Sequence, residues 1–233
     1  MFAITAWQEI LNGFDFSRLI SLVMAVIPAT LCVTLHELAH GYVAWLLGDD
    51  TARRAGRLTL NPLRHIDPWG FVMLVVAHIG WAKPVPVNMR SFKNPRQGMA
   101  LTALAGPGMN LLIAVVFLFL YGFAVPFSSV YATSAWRAVL QLLYTTAHLS
   151  LGLGLFNLLP IPPLDGSKVL FSLLPDEAYL FLMRYERYGF IVLYLLAFSG
   201  VTGSIVSTLL DGALKLLMPV AWFGANLATW IVL

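Results

Sequence analysis

Long stretches without charge are the feature that most constrains this chain. Six segments contain no Lys, Arg, Asp or Glu: residues 19–36, 68–82, 97–136, 138–164, 188–210 and 216–233. A membrane-spanning helix needs about 20 mainly apolar residues, and several of these segments supply them. Only 11% of the chain is charged, whereas a soluble domain carries about 25%. This composition excludes a soluble enzyme, a disordered tail and a disulfide-built scaffold, and we expect no nucleic-acid partner.

The apolar segments predict an all-α polytopic membrane protein with about five to six transmembrane helices, built as a single unit over residues 1–233. The first span runs from near Arg18 to Gly48, because apolar periodicity continues past residue 36. Pro219 leaves the segment 216–233 open as a last span or an interfacial helix. Residues 1–15 are expected to form an interfacial lead-in. The other predicted spans are roughly 100–125, one within 138–164 and one within 188–210.

The segment 68–82 is too short to cross comfortably, and basic residues flank it on both sides. We therefore expect it to re-enter the membrane rather than to cross it. Residues 56–60 and 83–88 around it alternate as strands do. Since Pro84 and Pro86 lack N–H donors, residues 56–60 are predicted to offer the usable strand edge.

The distribution of basic residues predicts the topology. Residues 49–98 carry eight of the 14 Lys and Arg, and residues 165–187 carry three more. Cytoplasmic loops of membrane proteins are enriched in Lys and Arg. We therefore expect the first span to enter from outside and residues 49–98 and 165–187 to lie in the cytoplasm.

A metal-binding motif lies within the first predicted span. Residues 36–40 read His-Glu-Leu-Ala-His, which is HExxH. Residues i and i+4 share a helix face, so His36 and His40 can bind one metal ion. Glu37 is then placed to accept a proton from a water near that ion. Ionisable groups within membrane spans are costly and usually functional.

A catalytic zinc usually has three protein ligands and a water, so a third ligand must come from elsewhere. Asp165 is the leading candidate, because three prolines just before it break the preceding helix and Gly166 permits a sharp turn. A broken helix end can aim a carboxylate at a metal held by another helix. The alternatives left open are His148, His78, His65 and Asp67.

Three motifs together resemble the site-2 protease family of intramembrane zinc metalloproteases, in its compact prokaryotic branch. They are the His36–His40 motif, Gly-Pro-Gly-Met-Asn at residues 106–110 and the stretch from Asn157 to Gly166. The resemblance covers about residues 30–190. One departure is Pro163, which precedes Leu164-Asp165-Gly166 where the family often has Asn. The asparagine role at that end therefore falls on Asn157.

The resemblance implies one zinc per chain, held by His36, His40 and Asp165, with Glu37 as the catalytic base. It implies that Asn110 and Asn157 lie near the substrate carbonyl or the oxyanion. It also implies a small membrane-re-entrant β-hairpin, a transmembrane protein or peptide as substrate, and the prokaryotic plasma (inner) membrane as location, with the active site towards the cytoplasm. The chain has no room for the PDZ or nucleotide-binding domains of some relatives.

Two other functions compete with a protease. A metal transporter also places His and acidic residues in membrane spans, but it usually shows inverted repeats, and none is evident here. A protease-like protein that binds membrane segments without cutting them would not need Glu37. The sequence leaves the substrate and the oligomeric state open.

Overall fold

The computed structural model describes residues 16–70, 72, 82–185 and 188–232. These residues form α-helices joined by short loops, with three single turns of 3₁₀ helix at Pro62–Arg64, Met89–Ser91 and Val125–Ser129. In chain order the α-helices are α1 (Phe16–Leu46), α2 (Thr51–Arg54), α3 (Pro95–Ala124), α4 (Ser134–Asn157), α5 (Asp165–Ser172), α6 (Asp176–Tyr185), α7 (Gly189–Phe198) and α8 (Val201–Val232).

Four segments of the described chain are long and apolar enough to cross a membrane. They are Val23–Leu46 in α1, Pro95–Ser129 in α3 and its 3₁₀ extension, Ser134–Asn157 in α4, and Val201–Ile231 in α8. The prediction of an all-α polytopic membrane protein is therefore confirmed. The predicted number of five to six spans is wrong for the described residues.

The error arises in the last 45 residues. The apolar segment 188–210 is divided at Gly200, whose φ of 75° ends α7 after 10 residues. The segment 216–233, left open as a last span or an interfacial helix, supplies the second half of α8, which has 32 residues and contains Pro219. The span expected within 188–210 is thus replaced by the short helix α7 and the first half of α8.

Helix α3 is the centre of the bundle and packs against α1, α4, α5 and α8. Asn94 caps its N-terminus by accepting from the backbone N–H of Gln97, and Pro95 occupies the first turn, where a missing N–H costs nothing. Gly122 of α3 lies against the Ala221 carbonyl of α8 with no space for a Cβ. Near the middle of the bundle, Ala114, Leu151 and Leu210 join α3, α4 and α8 in one buried cluster.

The expected β-hairpin is not supported. The described residues contain no strand, and one isolated antiparallel bridge joins Ile66 to Ala82. Side chains take the place of a partner strand, since Glu37 accepts from the Val85 N–H and Asp49 accepts from the Asn88 N–H. Residues 56–60 likewise form no strand edge. Most of the segment expected to re-enter, residues 71 and 73–81, and the lead-in 1–15 lie outside the described residues.

Asp49 ties this extended chain to the end of α1. It is fully buried, and its Oδ1 accepts hydrogen bonds from the backbone N–H and the hydroxyl of Thr51. Its Oδ2 accepts from the Asn88 N–H at 2.6 Å. Burial raises the pKa of Asp49, but these hydrogen bonds outweigh it and hold the pKa below its ordinary value.

We predict that Asp49→Asn destabilises the protein by about 1–3 kcal/mol, because it leaves a buried donor without an ionised acceptor. Asp50→Asn is the matched control, since Asp50 forms an exposed ion pair with Arg54 that should contribute about 0–1 kcal/mol. Thermal unfolding of both variants in detergent measures the difference. A carboxylate whose pKa is lowered by folding stabilises the fold at pH values above its unfolded-state pKa. The extra loss of stability in Asp49→Asn should therefore vanish as the pH falls through the folded-state pKa of Asp49. Equal losses of stability in the two variants would contradict this role of Asp49.

Candidate metal centre and active site

Two helices bring three metal-binding side chains together. On α1, His36 and His40 are one turn apart and both are buried. Their Nε2 atoms lie 3.0 Å from each other, and the Oδ2 of Asp165 lies 3.3 Å from His36 Nε2 and 3.1 Å from His40 Nε2. Among the described residues, this is the one group of three or more His, Cys, Asp or Glu side chains that converges in this way.

The proline-rich turn after α4 positions Asp165. Helix α4 ends at Asn157, and α5 starts with Asp165 after a seven-residue turn that contains Pro160, Pro162 and Pro163. Gly166 then packs against the Leu158 carbonyl so closely that a Cβ would lie 2.1 Å from that oxygen. The expectation that prolines break the helix and present Asp165 at the new helix start is confirmed in the structure.

The spacing of the three ligand atoms fits zinc. Zinc–ligand bonds of about 2.0–2.1 Å at tetrahedral angles place ligand atoms about 3.3 Å apart. The observed separations of 3.0, 3.1 and 3.3 Å form a triangle of this size. Two imidazoles and one carboxylate are also a donor set typical of catalytic zinc, and they leave a fourth position open.

Helix α3 orients both histidines from behind. The Thr102 carbonyl lies 2.6 Å from His40 Nδ1, and because a carbonyl only accepts, Nδ1 must carry the proton. The neutral ring then presents an unprotonated Nε2 to the site. The side chain of Asn110, which is fully buried, lies 3.2 Å from His36 Nδ1. Asn110 is itself braced by α4, where the Ser150 hydroxyl donates to its backbone carbonyl.

The three ligands and Glu37 open onto a cavity of about 390 Å³. Glu37 Oε2 accepts a hydrogen bond of 2.9 Å from the Val85 N–H, which holds the carboxylate beside the extended chain. Pro84, Val85 and Val87 form one wall of the cavity. A larger and more open groove of about 600 Å³, next to Tyr42 on the outer side of α1, is lined by no His, Asp or Glu.

The two predicted asparagines differ in position. Asn157 lies on the cavity wall, with its amide donating to the Leu153 carbonyl of its own helix. Asn110 lies behind His36 and is not among the residues that line the cavity. Lys168 also lines the cavity, and its Nζ lies 3.9 Å from Asp165 Oδ1, the oxygen that faces away from the histidines.

The other candidate ligands lie apart from this site. His148 packs beside Tyr144, His65 bonds the Thr59 carbonyl, and Asp67 accepts from the Gly70 N–H. His78 lies outside the described residues. Cys32, one turn before His36, is buried and directs its thiol to the Thr146 carbonyl.

Several residues that shape the site were not identified from the sequence. Lys168 could have been found, because i+3 spacing places it beside Asp165 on a helix. Thr102 and Val85 act through backbone groups, which carry no sequence signal. Gly106 was part of a quoted motif, but its role depends on packing: a Cβ there would lie 2.4 Å from His40 Nε2.

We predict that Gly106→Ala abolishes zinc binding, because the added methyl group would displace the two histidines. Gly108→Ala is the matched control two residues along the same helix, where an added Cβ meets nothing within 4 Å. Zinc per chain, measured by elemental analysis of detergent-purified protein, distinguishes the variants. Full zinc in Gly106→Ala protein would show that α3 does not press on the histidines as described.

Comparisons with known proteins identify the family of this chain. Residues 122–198 match Peptidase family M50. The chain is 43% identical over 181 residues to zinc metalloprotease YwhC of Bacillus subtilis (strain 168), an alignment that covers 78% of this chain and 82% of the relative. It is 34% identical over 198 residues to zinc metalloprotease Rip2 of Mycolicibacterium smegmatis, covering 82% of this chain and 73% of the relative. No solved structure matches significantly.

The family match includes the turn that carries Asp165, and the alignments to the two named relatives each span more than three quarters of the chain. The relatives are named as zinc metalloproteases, and a group of three side chains that could hold a metal ion lies among the apolar helices of this chain. The chain therefore belongs to Peptidase family M50, the site-2 protease family, and is a zinc metalloprotease.

Proposed function

We propose that this protein is an intramembrane endopeptidase that cleaves a peptide bond in or near a transmembrane segment of a membrane protein. The observation that carries the proposal is the convergence of His36, His40, Asp165 and Glu37 on one cavity inside a bundle of apolar helices. A cavity in that setting is accessible to a substrate that is itself in the membrane. The resulting activity would be regulated intramembrane proteolysis.

One zinc ion per chain would be held by the Nε2 atoms of His36 and His40 and by Asp165. When bound, zinc lowers the pKa of water and polarises the scissile carbonyl. Lys168 supports Asp165 by offering a positive charge to Oδ1 while Oδ2 faces the metal position. Such outer partners orient ligands and often change metal affinity about 10–100-fold.

Glu37 is the general base in this proposal. Its carboxylate would take a proton from the attacking water and later transfer that proton to the leaving amine. The Val85 N–H holds one carboxylate oxygen, so the other is available to the water. The extended wall at residues 84–87 would align the opened substrate chain, whose backbone needs replacement hydrogen-bond partners in a lipid environment.

The two asparagines are assigned different roles. Because Asn157 faces the cavity, its amide is the one that can reach a substrate carbonyl or an oxyanion. Asn110 instead orients His36. A His36 ring that binds metal through Nε2 carries its proton on Nδ1, which then needs a hydrogen-bond acceptor. If the Asn110 amide is turned by 180°, its Oδ1 becomes that acceptor. The Asn110 Oδ1 atom is buried and has no hydrogen-bond partner in the structure, which supports a hydrogen bond between His36 Nδ1 and Asn110 Oδ1.

Charge supports the proposed orientation. The segments 49–98 and 165–187 carry eleven of the 14 basic residues and contribute Val85 and Lys168 to the cavity lining, and Lys and Arg concentrate on cytoplasmic loops. We place the protein in the prokaryotic plasma membrane, with its active site towards the cytoplasm. Water would reach the site from that side.

We predict that Glu37→Gln lowers proteolysis by about 10²–10⁴-fold, the usual contribution of a general base, while zinc content stays unchanged. Glu177→Gln on the exposed face of α6 is the matched control. The assay co-expresses the protein with a panel of single-span membrane proteins tagged at both ends and follows the separation of the tags. Cleavage by wild-type protein that persists in Glu37→Gln would exclude Glu37 as the base. A wild-type chain that binds zinc but cuts nothing in the panel would favour a protein that binds membrane segments or transports metal.

A separate prediction concerns the ligand set. Wild-type protein should contain about one zinc per chain, and Asp165→Ala should lose it or bind it much more weakly. Glu177→Ala, at an exposed position of α6, is the control for a changed acidic residue outside the site. Zinc retained in full by Asp165→Ala would require a different third ligand and would overturn the proposed coordination.

A further inference from the structure

Two charged residues lie within the last membrane-spanning helix. Asp211 and Lys215 fall between the apolar segments 188–210 and 216–233. The structure makes residues 201–232 one continuous helix, α8, and so puts both charges inside a span.

Packing shows how deep these charges lie. Leu210 packs against Ala114 of α3 and Leu151 of α4 in the buried cluster, so Asp211 lies at the same depth as Ala114. Ala114 is ten residues, about 15 Å, from the end of α3 at Ala124. Because the apolar part of a bilayer is about 30 Å thick, Asp211 is close to its middle, and Lys215 is one helical turn further along.

Both charges belong to a polar stripe that faces away from the bundle. Spacings of three and four residues place its members on one side of α8, and each of them is exposed. The face that contacts α3 and α4 is a different one, which carries Leu210, Ala221 and Gly224. The polar stripe consists of Ser204, Ser207, Thr208, Asp211 and Lys215.

Within the polar stripe, the two charges differ from the hydroxyls of Ser207 and Thr208, which have partners. The hydroxyls of Ser207 and Thr208 both donate to the Ser204 carbonyl of the preceding turn. Neither Asp211 nor Lys215 makes a hydrogen bond or an ion pair with another described residue. An outward-facing, unpaired charge in the middle of a bilayer is costly, and such residues almost always pair or face protein.

We propose that the polar stripe of α8 is a self-association surface whose partner is a second copy of this chain. Two copies inserted in the same direction are related by a two-fold axis along the membrane normal, so their α8 helices run parallel. Each residue then lies at the same depth as its own copy, and Lys215 of one copy reaches diagonally, over one helical turn, to Asp211 of the other. The symmetry repeats this pair. The stripe is thus complementary to itself, which a surface with only one type of charge would not be.

The rest of the polar stripe suits a close helix pair. Ser204, Ser207 and Thr208 are small, and small residues allow neighbouring helices in membranes to approach each other. Gly212, beside Asp211, has open space around it, since an added Cβ would meet nothing within 4 Å. No residue of α8 lines the active-site cavity, so this association does not depend on the proposed proteolysis.

Charge reversal tests the pairing directly. Two full-length chains carrying different epitope tags are co-expressed in a bacterial membrane, and co-purification after mild solubilisation measures their association. Asp211→Lys alone and Lys215→Asp alone should each lower the amount of co-purified partner about tenfold. This is the effect of losing one or two polar contacts between membrane helices. Co-expression of Asp211→Lys with Lys215→Asp should restore association, because one copy then carries two positive charges and the other two negative charges.

This mixed pair separates association between copies from pairing within one helix. Each single variant loses any Asp211–Lys215 contact within its own α8, so only contacts between copies can be restored by mixing. Wild-type protein without self-association, or single variants that associate as well as wild type, would overturn the proposal. So would a mixed pair that associates no better than either variant with itself.

Cross-linking gives an independent readout in the intact membrane. Thr208→Cys lies on the polar stripe, and Leu209→Cys is the matched control at nearly the same depth, exposed but about 100° around the helix. Oxidation should yield disulfide-linked dimer from Thr208→Cys and not from Leu209→Cys or from the parent chain, whose Cys32 is buried. Equal cross-linking at both positions, or cross-linking of Thr208→Cys to another protein in place of its own copy, would contradict self-association through this face.

Discussion

The structure depends on one constraint, namely that each polar group placed inside an apolar helix bundle needs a partner. An unpaired polar group in lipid costs far more than the same group in water, because no solvent replaces the lost hydrogen bond. At the candidate metal centre, His36, Glu37 and His40 each meet this constraint. His40 donates to the Thr102 carbonyl, His36 lies beside Asn110, and Glu37 accepts from the Val85 N–H. These contacts determine the direction of the side chains before any metal binds.

The same constraint explains why the site is built from interrupted helices. A continuous helix uses its backbone groups internally and presents only side chains to its neighbours. The proline-rich turn between α4 and α5 ends one helix and begins another at Asp165, which allows a carboxylate to approach two histidines on α1. Close packing at Gly106 and Gly166 then brings the helices near enough for the ligand atoms to converge.

Prediction from the sequence succeeded where the information is local. HExxH places His36, Glu37 and His40 on adjacent positions of one helix through spacing alone, and the apolar segments locate three of the four spans. It failed for the β-hairpin, because strand-like alternation at residues 83–88 does not reveal that side chains of α1 and its following loop take up the backbone N–H groups. It also failed for the span expected within 188–210, since Gly200 divides that segment and the last spanning helix starts at Val201.

The sequence by itself determined that this chain lies in a membrane, that α1 carries the HExxH motif with two histidines one turn apart, and that prolines break the helix before Asp165. Composition and helical periodicity act over a few residues, so they can be read directly. Only the tertiary structure decided that Asp165 meets His36 and His40, that Asn110 and Asn157 have different surroundings, and that Asp211 and Lys215 lie in the middle of a span. These outcomes depend on how distant helices pack and on which donors are already satisfied, and no local pattern encodes either.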